Sequence, residues 1–278
     1  MAAQPSPGPP ADPLVEGWAA LRAFFAEGVD ALARALAAFR RAEAAVRAAH
    51  DPARLEAWLL GLATALRYTR QPEAMEAGLT RARELVNVTA RTQSEDVSVP
   101  HRTLVEALCA DLADVVPQDA ARYLDQGLAY SERTLRLARA ARRDVWIAVA
   151  EASRAELLRR RAKDRRERLR AVTLHKDARR RWPAEDRAGR AQAAVGYAEA
   201  LVGAGDAARA EVVAGEAVAV VAGLGDRYHE AAARLALARA RYALDRPDAF
   251  DEQAAAVELY RRLGCRWEIG RASCRERV

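Results

Sequence analysis

Lysine, isoleucine and asparagine are nearly absent from the 278 residues: Lys163, Lys176, Ile147, Ile269 and Asn87 are the whole complement. These residues need AT-rich codons, so their scarcity beside abundant alanine and arginine marks the coding bias of a GC-rich, bacterial genome. Three cysteines without regular spacing exclude a disulfide framework and a structural zinc site. No stretch of about 18 residues lacks charge, which excludes a membrane-spanning helix. The first residues, MAAQPSPGPPADP, have neither the basic start nor the apolar run of a secretion signal, so a cytoplasmic location is expected. What is present is a chain 51% hydrophobic and 30% charged with a net charge of +6, too apolar to be disordered.

Five prolines between Pro5 and Pro13 forbid helix, and residues 1–13 are expected to form a disordered extension. Beyond them apolar residues recur at helical spacing almost everywhere. The β-like patches Val86–Thr89 and Val97–Val99 are short and border Pro100, so they read as a helix end and a loop. Turn signals fall at Gly28, Gln71-Pro72, Pro117, Lys163, Gly205-Asp206 and Asp245-Arg246-Pro247, spaced by about 40 to 46 residues. Each unit then holds two amphipathic helices, with looser joints at Pro52, Pro100 and Pro183. A single hairpin cannot bury its apolar faces, so neighbours must stack.

The stretch Gly196–Asp206 followed by Ala210, Ala214 and Ala217 resembles a tetratricopeptide repeat: a small residue on the first helix (Ala198), a Gly-Asp turn, then small residues on the second. The next unit repeats it with Ala238, Tyr242, Arg246-Pro247-Asp248 and Val257, but carries Phe250 where alanine is usual. Trp58–Gly61 with Gln71–Ala74 is a blurred copy. The longer period is like that of long-helix variants in bacterial regulators and signalling proteins. The resemblance covers 52–268 and implies an all-α, right-handed α-solenoid of about six antiparallel hairpins over 14–268.

The last ten residues, Ile269–Val278, resemble the translation of a common short-read sequencing adapter whose next triplet is a stop. Residues 269–278 are therefore expected to be an artefactual tail on a truncated gene, with Cys274 foreign and the natural chain continuing past Glu268. The tail carries a net +2, leaving +4 for the remainder. A solenoid stopping there is expected to expose Val257, Leu259 and Leu263 and to self-associate through an uncapped end. The decapeptide itself is expected to make few buried contacts.

Candidate chemistry is sparse. Gly203–Ala208 fits a G-x-G-x-x-A pattern, but no strand precedes it, and it reads as a turn between helices. His229-Glu230 opens like a zinc motif, yet Ala233 stands where the second histidine belongs. No cofactor, no metal and no catalytic residue is expected, and the chain is not expected to be an enzyme. Charge is the unusual feature. Arg159, Arg160, Arg161, Lys163, Arg165, Arg166, Arg168, Arg170, Lys176, Arg179, Arg180 and Arg181 face only Asp164, Glu167 and Asp177, a net +9, so the rest up to Glu268 is −5. This segment is either a solvated helix face, with arginine stems over apolar surface, or a surface for an acidic partner. Nucleic acid is disfavoured, since only Trp182 offers a stacking ring nearby. Trp146, Glu199, Arg239 and Tyr242 are candidates for a groove, although aromatics at helical spacing more often pack in cores.

The expected function is a scaffold whose concave face, built from the first helix of each hairpin, receives a peptide or partner domain. The resemblance also implies an alternative, a sensing or oligomerising repeat region of a truncated bacterial transcriptional regulator or nucleotide-cyclising signalling protein whose output domain is missing.

Overall fold

The computed structural model describes residues 12–273; Met1–Ala11 and 274–278, which hold most of the Pro-rich extension and half of the adapter-like tail, lie outside them. Among the described residues the chain is all helical. Six hairpins follow one another: α1 (Pro13–Glu27) with α2 (Val29–Ala48), α3 (Pro52–Tyr68) with α4 (Pro72–Thr92), α5 (Val99–Val115) with α6 (Ala120–Ala140), α7 (Asp144–Arg161) with α8 (Arg165–Arg181), α9 (Arg187–Ala204) with α10 (Ala207–Leu224), and α11 (Arg227–Tyr242) with α12 (Ala249–Arg262). A short α13 (Arg266–Ser273) ends the array. All six turns expected from the sequence fall between paired helices, and Val86–Thr89 lies within α4.

Aspartate starts many of these helices. Asp12, Asp51, Asp164, Asp186, Asp206 and Asp226 each accept a hydrogen bond from a first-turn amide that has no partner within its helix. Small residues then let the helices approach. Ala198, Ala210, Ala214 and Ala217 are all buried in the cluster joining α9, α10 and α11. By contrast, α8 buries only Ala171, His175 and Ala178.

The odd-numbered helices pack against one another in succession and form the inner wall; the even-numbered helices stand outside. The array does not stay open. The first hairpin returns onto the last: α1 packs against α11, and one apolar cluster unites Leu21, Phe24 and Phe39 with Tyr228, Tyr260 and Leu263. Phe24, near the end of α1, meets Tyr228 at the start of α11, with ring centroids 5.4 Å apart. The first helices run parallel, so the coil has climbed by roughly one helix length, ~24 Å for 16-residue α11, in a single circuit. The Gly28 turn seals this seam. Its φ is +92°, Val29 N donates to the Leu263 carbonyl at 2.8 Å, and a Cβ on Gly28 would lie 2.2 Å from that oxygen.

The closure overturns two expectations from the sequence. Leu263 is buried, and Val257 and Leu259 pack against the shared cluster, so the apolar side of α12 is covered. The cause is the rise of the coil, which brings the first hairpin over that side. The opening of the adapter-like tail also makes buried contacts. Ile269 packs on the same cluster, Ala272 is buried, and Gln253 Nε2 donates to the Ala272 carbonyl. The spacing of Cys265, Ile269 and Ala272 places all three on one helix face.

Candidate functional site

The coil encloses a bore of ≈ 550 Å³ lined mainly by the first helices of the hairpins, from Arg67 on α3 to Arg239 on α11. Small residues (Ala107, Ala152, Ala193 and Ala232) leave the space open. Around it winds a ladder of alternating charge. Arg67 Nε donates to Asp111 Oδ2 at 2.6 Å, and Arg160 Nη1 lies 3.4 Å from Asp111 Oδ1. Arg160 also reaches Glu156 at 3.0 Å; Glu156 pairs with Arg159 at 2.8 Å. Arg159 stands 4.0 Å from Glu199, which holds Arg239 at 2.6 Å. At the other end Arg70 bridges Asp111 (3.0 Å) and Glu268 of α13 (2.9 Å), and the Tyr228 hydroxyl donates to Glu268 at 2.8 Å. The ladder thus begins beside Tyr228 and ends at Arg239 of the same helix, about three turns further on.

Two carboxyls on α5 have opposite surroundings. Burial works against the charge on Asp111, but Arg67, Arg70 and Arg160 outweigh it and hold the carboxyl well below the usual range. Glu106 is fully buried and forms no ion pair among the described residues, with Arg102 and Arg154 acting on it only from a distance. Burial pushes its carboxyl up to about 7, against the pull of the Ser153 and Thr134 hydroxyls. The Thr134 hydroxyl donates to Glu106 Oε1 at 2.5 Å, while Oε2 makes no hydrogen bond of ordinary geometry.

His175 belongs to outer helix α8 yet lines the bore. It reaches the wall beside Gly196 of α9, whose missing side chain makes room: a Cβ there would lie 2.7 Å from His175 Cε1. The ring is buried, neither nitrogen has a hydrogen-bond partner among the described residues, and burial pushes its pKa down to about 4.

The groove candidates separate. Glu199 and Arg239 face each other across the bore wall. Trp146 stands away from it, drawn into a cluster with Val99, Leu135 and Ile147 beneath the Arg143 guanidinium at 4.2 Å. Tyr242, the last residue of α11, turns outward, packs edge-on against Phe250 and donates to Gln253. The basic run also divides. Arg159 and Arg160 point into the bore as rungs of the ladder. Arg161 pairs with Asp125 and Glu167, Arg179 with Glu216, and Arg181 with Asp144 and Glu151. Lys163, Arg165, Arg166, Arg168, Arg170, Lys176 and Arg180 form no ion pair among the described residues. His229 pairs with Asp226 at 2.6 Å and stacks on Phe25; among the described residues no cluster of ligands suits a metal ion. No described helix is long and apolar enough to cross a membrane.

A solved structure resembles this arrangement. BtubC (BKLC) from P. vanneervenii superposes with a TM-score of 0.55 at 20% identity, over 89% of this chain and 95% of that one. The chain is an α-solenoid of paired helices. At that identity the likeness is one of fold. No protein-family model matches the sequence, and no curated protein does.

Sequence reading found Glu199 and Arg239 but missed Arg67, Asp111 and Glu156. A signal was present: all five are charged positions on inner helices, spaced by roughly the hairpin period.

Proposed function

We propose that the chain is a non-catalytic, tetratricopeptide-like scaffold that holds a short segment of a partner protein in its bore, against the first helices of the hairpins. The observation that carries this reading is the bore itself, ≈ 550 Å³ between small side chains. Pockets of about 300–1,000 Å³ take a small ligand or a few residues of extended chain, so the occupant is a segment and not a folded domain. The charged groups of the wall already neutralise one another. The two nitrogens of His175, with Glu106 Oε2 and Arg160 Nε, are the buried polar atoms of the wall left without a partner among the described residues, and they offer hydrogen-bonding capacity to a peptide backbone.

Selection of short random peptides against the chain tests the reading, with the variant Ala152→Phe/Ala232→Phe as a filled-bore comparison. Peptides that bind the native chain and lose at least about tenfold in affinity for the filled bore support it. Binders indifferent to the filling would place the peptide elsewhere and overturn it.

A further inference from the structure

Most arginines of the outer helices are neutralised where they stand. On α6, Arg122, Arg133, Arg136 and Arg139 all pair with acids; so do Arg209 on α10, and Arg261 and Arg262 on α12. On α2, Arg34, Arg41 and Arg47 pair, leaving Arg40; on α4, Arg81 pairs and Arg83 bonds Gln126, leaving Arg91. Helix α8 is the exception. Of its acids, Asp164 caps the helix and Glu167 accepts from the Lys163 amide at its start, which leaves Asp177 beside six unpaired cations. The same coding bias toward arginine applies to every helix, so it does not account for the difference.

The unpaired cations of α8 are in line. At 100° per residue, Arg165, Arg166, Leu169, Thr173, Lys176 and Arg180 fall on one face, with Arg170 and the acid Asp177 at its edge, opposite the buried Ala171, His175 and Ala178. The face runs ~23 Å along the helix. In its middle Leu169 is 45% exposed. The stripe is one helix wide and bordered by acids, Asp125 on α6 at the Arg161 end and Glu216 on α10 at the Arg179 end.

We infer that the outer face of α8 is a docking surface, distinct from the bore, for an acidic amphipathic segment of a partner protein. Carboxylates at helical spacing match cations at helical spacing, and an apolar residue between them covers Leu169. A nucleic-acid backbone fits less well. It has no apolar group for Leu169, its phosphates would run past the stripe onto Asp125 and Glu216, and Trp182 is tied to Asp186 by a 2.9 Å hydrogen bond and so is not free to stack on bases.

The test uses a labelled acidic peptide of Glu and Leu at helical spacing, with duplex DNA as a second probe. The variant Arg165→Gln/Arg166→Gln/Arg170→Gln/Arg180→Gln is compared with Arg34→Gln/Arg41→Gln/Arg122→Gln/Arg136→Gln, which removes equal charge from paired arginines; circular dichroism checks that both fold. The α8 variant is expected to lose about tenfold or more in peptide affinity at low salt and to show a shallower salt dependence, while the paired-arginine variant stays within about threefold of the native chain. Leu169→Ser is expected to weaken the Glu/Leu peptide and leave polyglutamate binding unchanged. Equal losses in the two quadruple variants would overturn the inference, as would native affinity in the α8 variant. DNA bound more tightly than the peptide through the same four arginines would also overturn it in favour of a phosphate backbone.

Discussion

Arg70 and Glu268, 198 residues apart in sequence, meet at 2.9 Å inside the protein. Arg70 follows the second hairpin's first helix and Glu268 opens α13, so this pair ties the start of the coil to its end. The same guanidinium reaches Asp111, which makes the seam and the charged ladder one network. A solenoid closed in this way gains burial where its first and last described hairpins meet.

Glu268→Ala is expected to loosen that seam. It removes the acceptor shared by Arg70 and Tyr228 while Asp111 still holds Arg70, so the cost is about 1–3 kcal/mol by urea denaturation. The Val29 amide, hydrogen-bonded across the seam to Leu263, is then expected to exchange faster than the amides of α9 and α10. Unchanged exchange at Val29 would mean that the apolar contacts alone keep the coil shut.

The two buried carboxyls of α5 are expected to give opposite pH dependences. Asp111 has a folded-state pKa depressed by its arginines, so its stabilisation is present above the unfolded value of about 3.9 and is lost as pH falls through the folded one. Asp111→Asn removes the charge shared by three half-buried guanidiniums, of which Arg70 keeps Glu268 and Arg160 keeps Glu156, and is expected to cost about 3 kcal/mol at pH 7. Glu106 is raised to about 7. Its contribution is present below the unfolded value of about 4.3 and is lost as pH rises through 7. Glu106→Gln is therefore expected to be more stable than the native chain at pH 8 by about 1–3 kcal/mol, and no more stable near pH 4. Denaturation midpoints across pH check both signs; a Glu106→Gln variant weaker than the native chain at pH 8 would show that the carboxylate is satisfied in place.

The hairpins were legible because local signals mark them. Gly205-Asp206 and Asp245-Arg246-Pro247 stop one helix and start the next, and Ala198, Ala210 and Ala214 report close crossings whatever the rest of the chain does. The seam was not legible. Contact between Phe24 and Tyr228 depends on the small rotations of six hairpins added together, and no residue encodes the sum. The same limit hid the direction of Arg159 and Arg160. Their charge is plain in the sequence, but they lie on the inner face of α7, whereas the cations from Arg165 onward lie on an outer helix. Glu199 and Arg239 could be picked out as charges on an otherwise apolar helix face, and Asp111 would have followed by the same rule.

Ala210 tests the helix crossing that the sequence indicated. It is fully buried between α9 and α10. Ala210→Leu is expected to overpack that crossing and cost about 1–3 kcal/mol, seen as a lower denaturation midpoint with the same slope. A shift of only a few tenths would mean that the two helices part without penalty, contrary to their packing here.

Gly196 and His175 allow a sharper test, because their joint behaviour has a sign. Glycine inside a helix is worse than alanine by roughly 0.5–1 kcal/mol, so Gly196→Ala would stabilise α9 if space allowed. The new Cβ would lie 2.7 Å from His175 Cε1, and the ring is buried, so in the native background the substitution is expected to cost about 1–3 kcal/mol instead. In a His175→Ala background the obstacle is gone, and Gly196→Ala is expected to stabilise by about 0.5–1 kcal/mol. The pH dependence supplies a second readout. Burial lowers the folded-state pKa of His175 to about 4, so the unfolded chain takes up the proton first, and stability falls as pH drops from about 6.5 through 4. That part of the slope is expected to vanish in His175→Ala. If Gly196→Ala has the same effect in both backgrounds, the ring does not occupy the gap beside α9, and the two nitrogens of His175 are not presented to the bore.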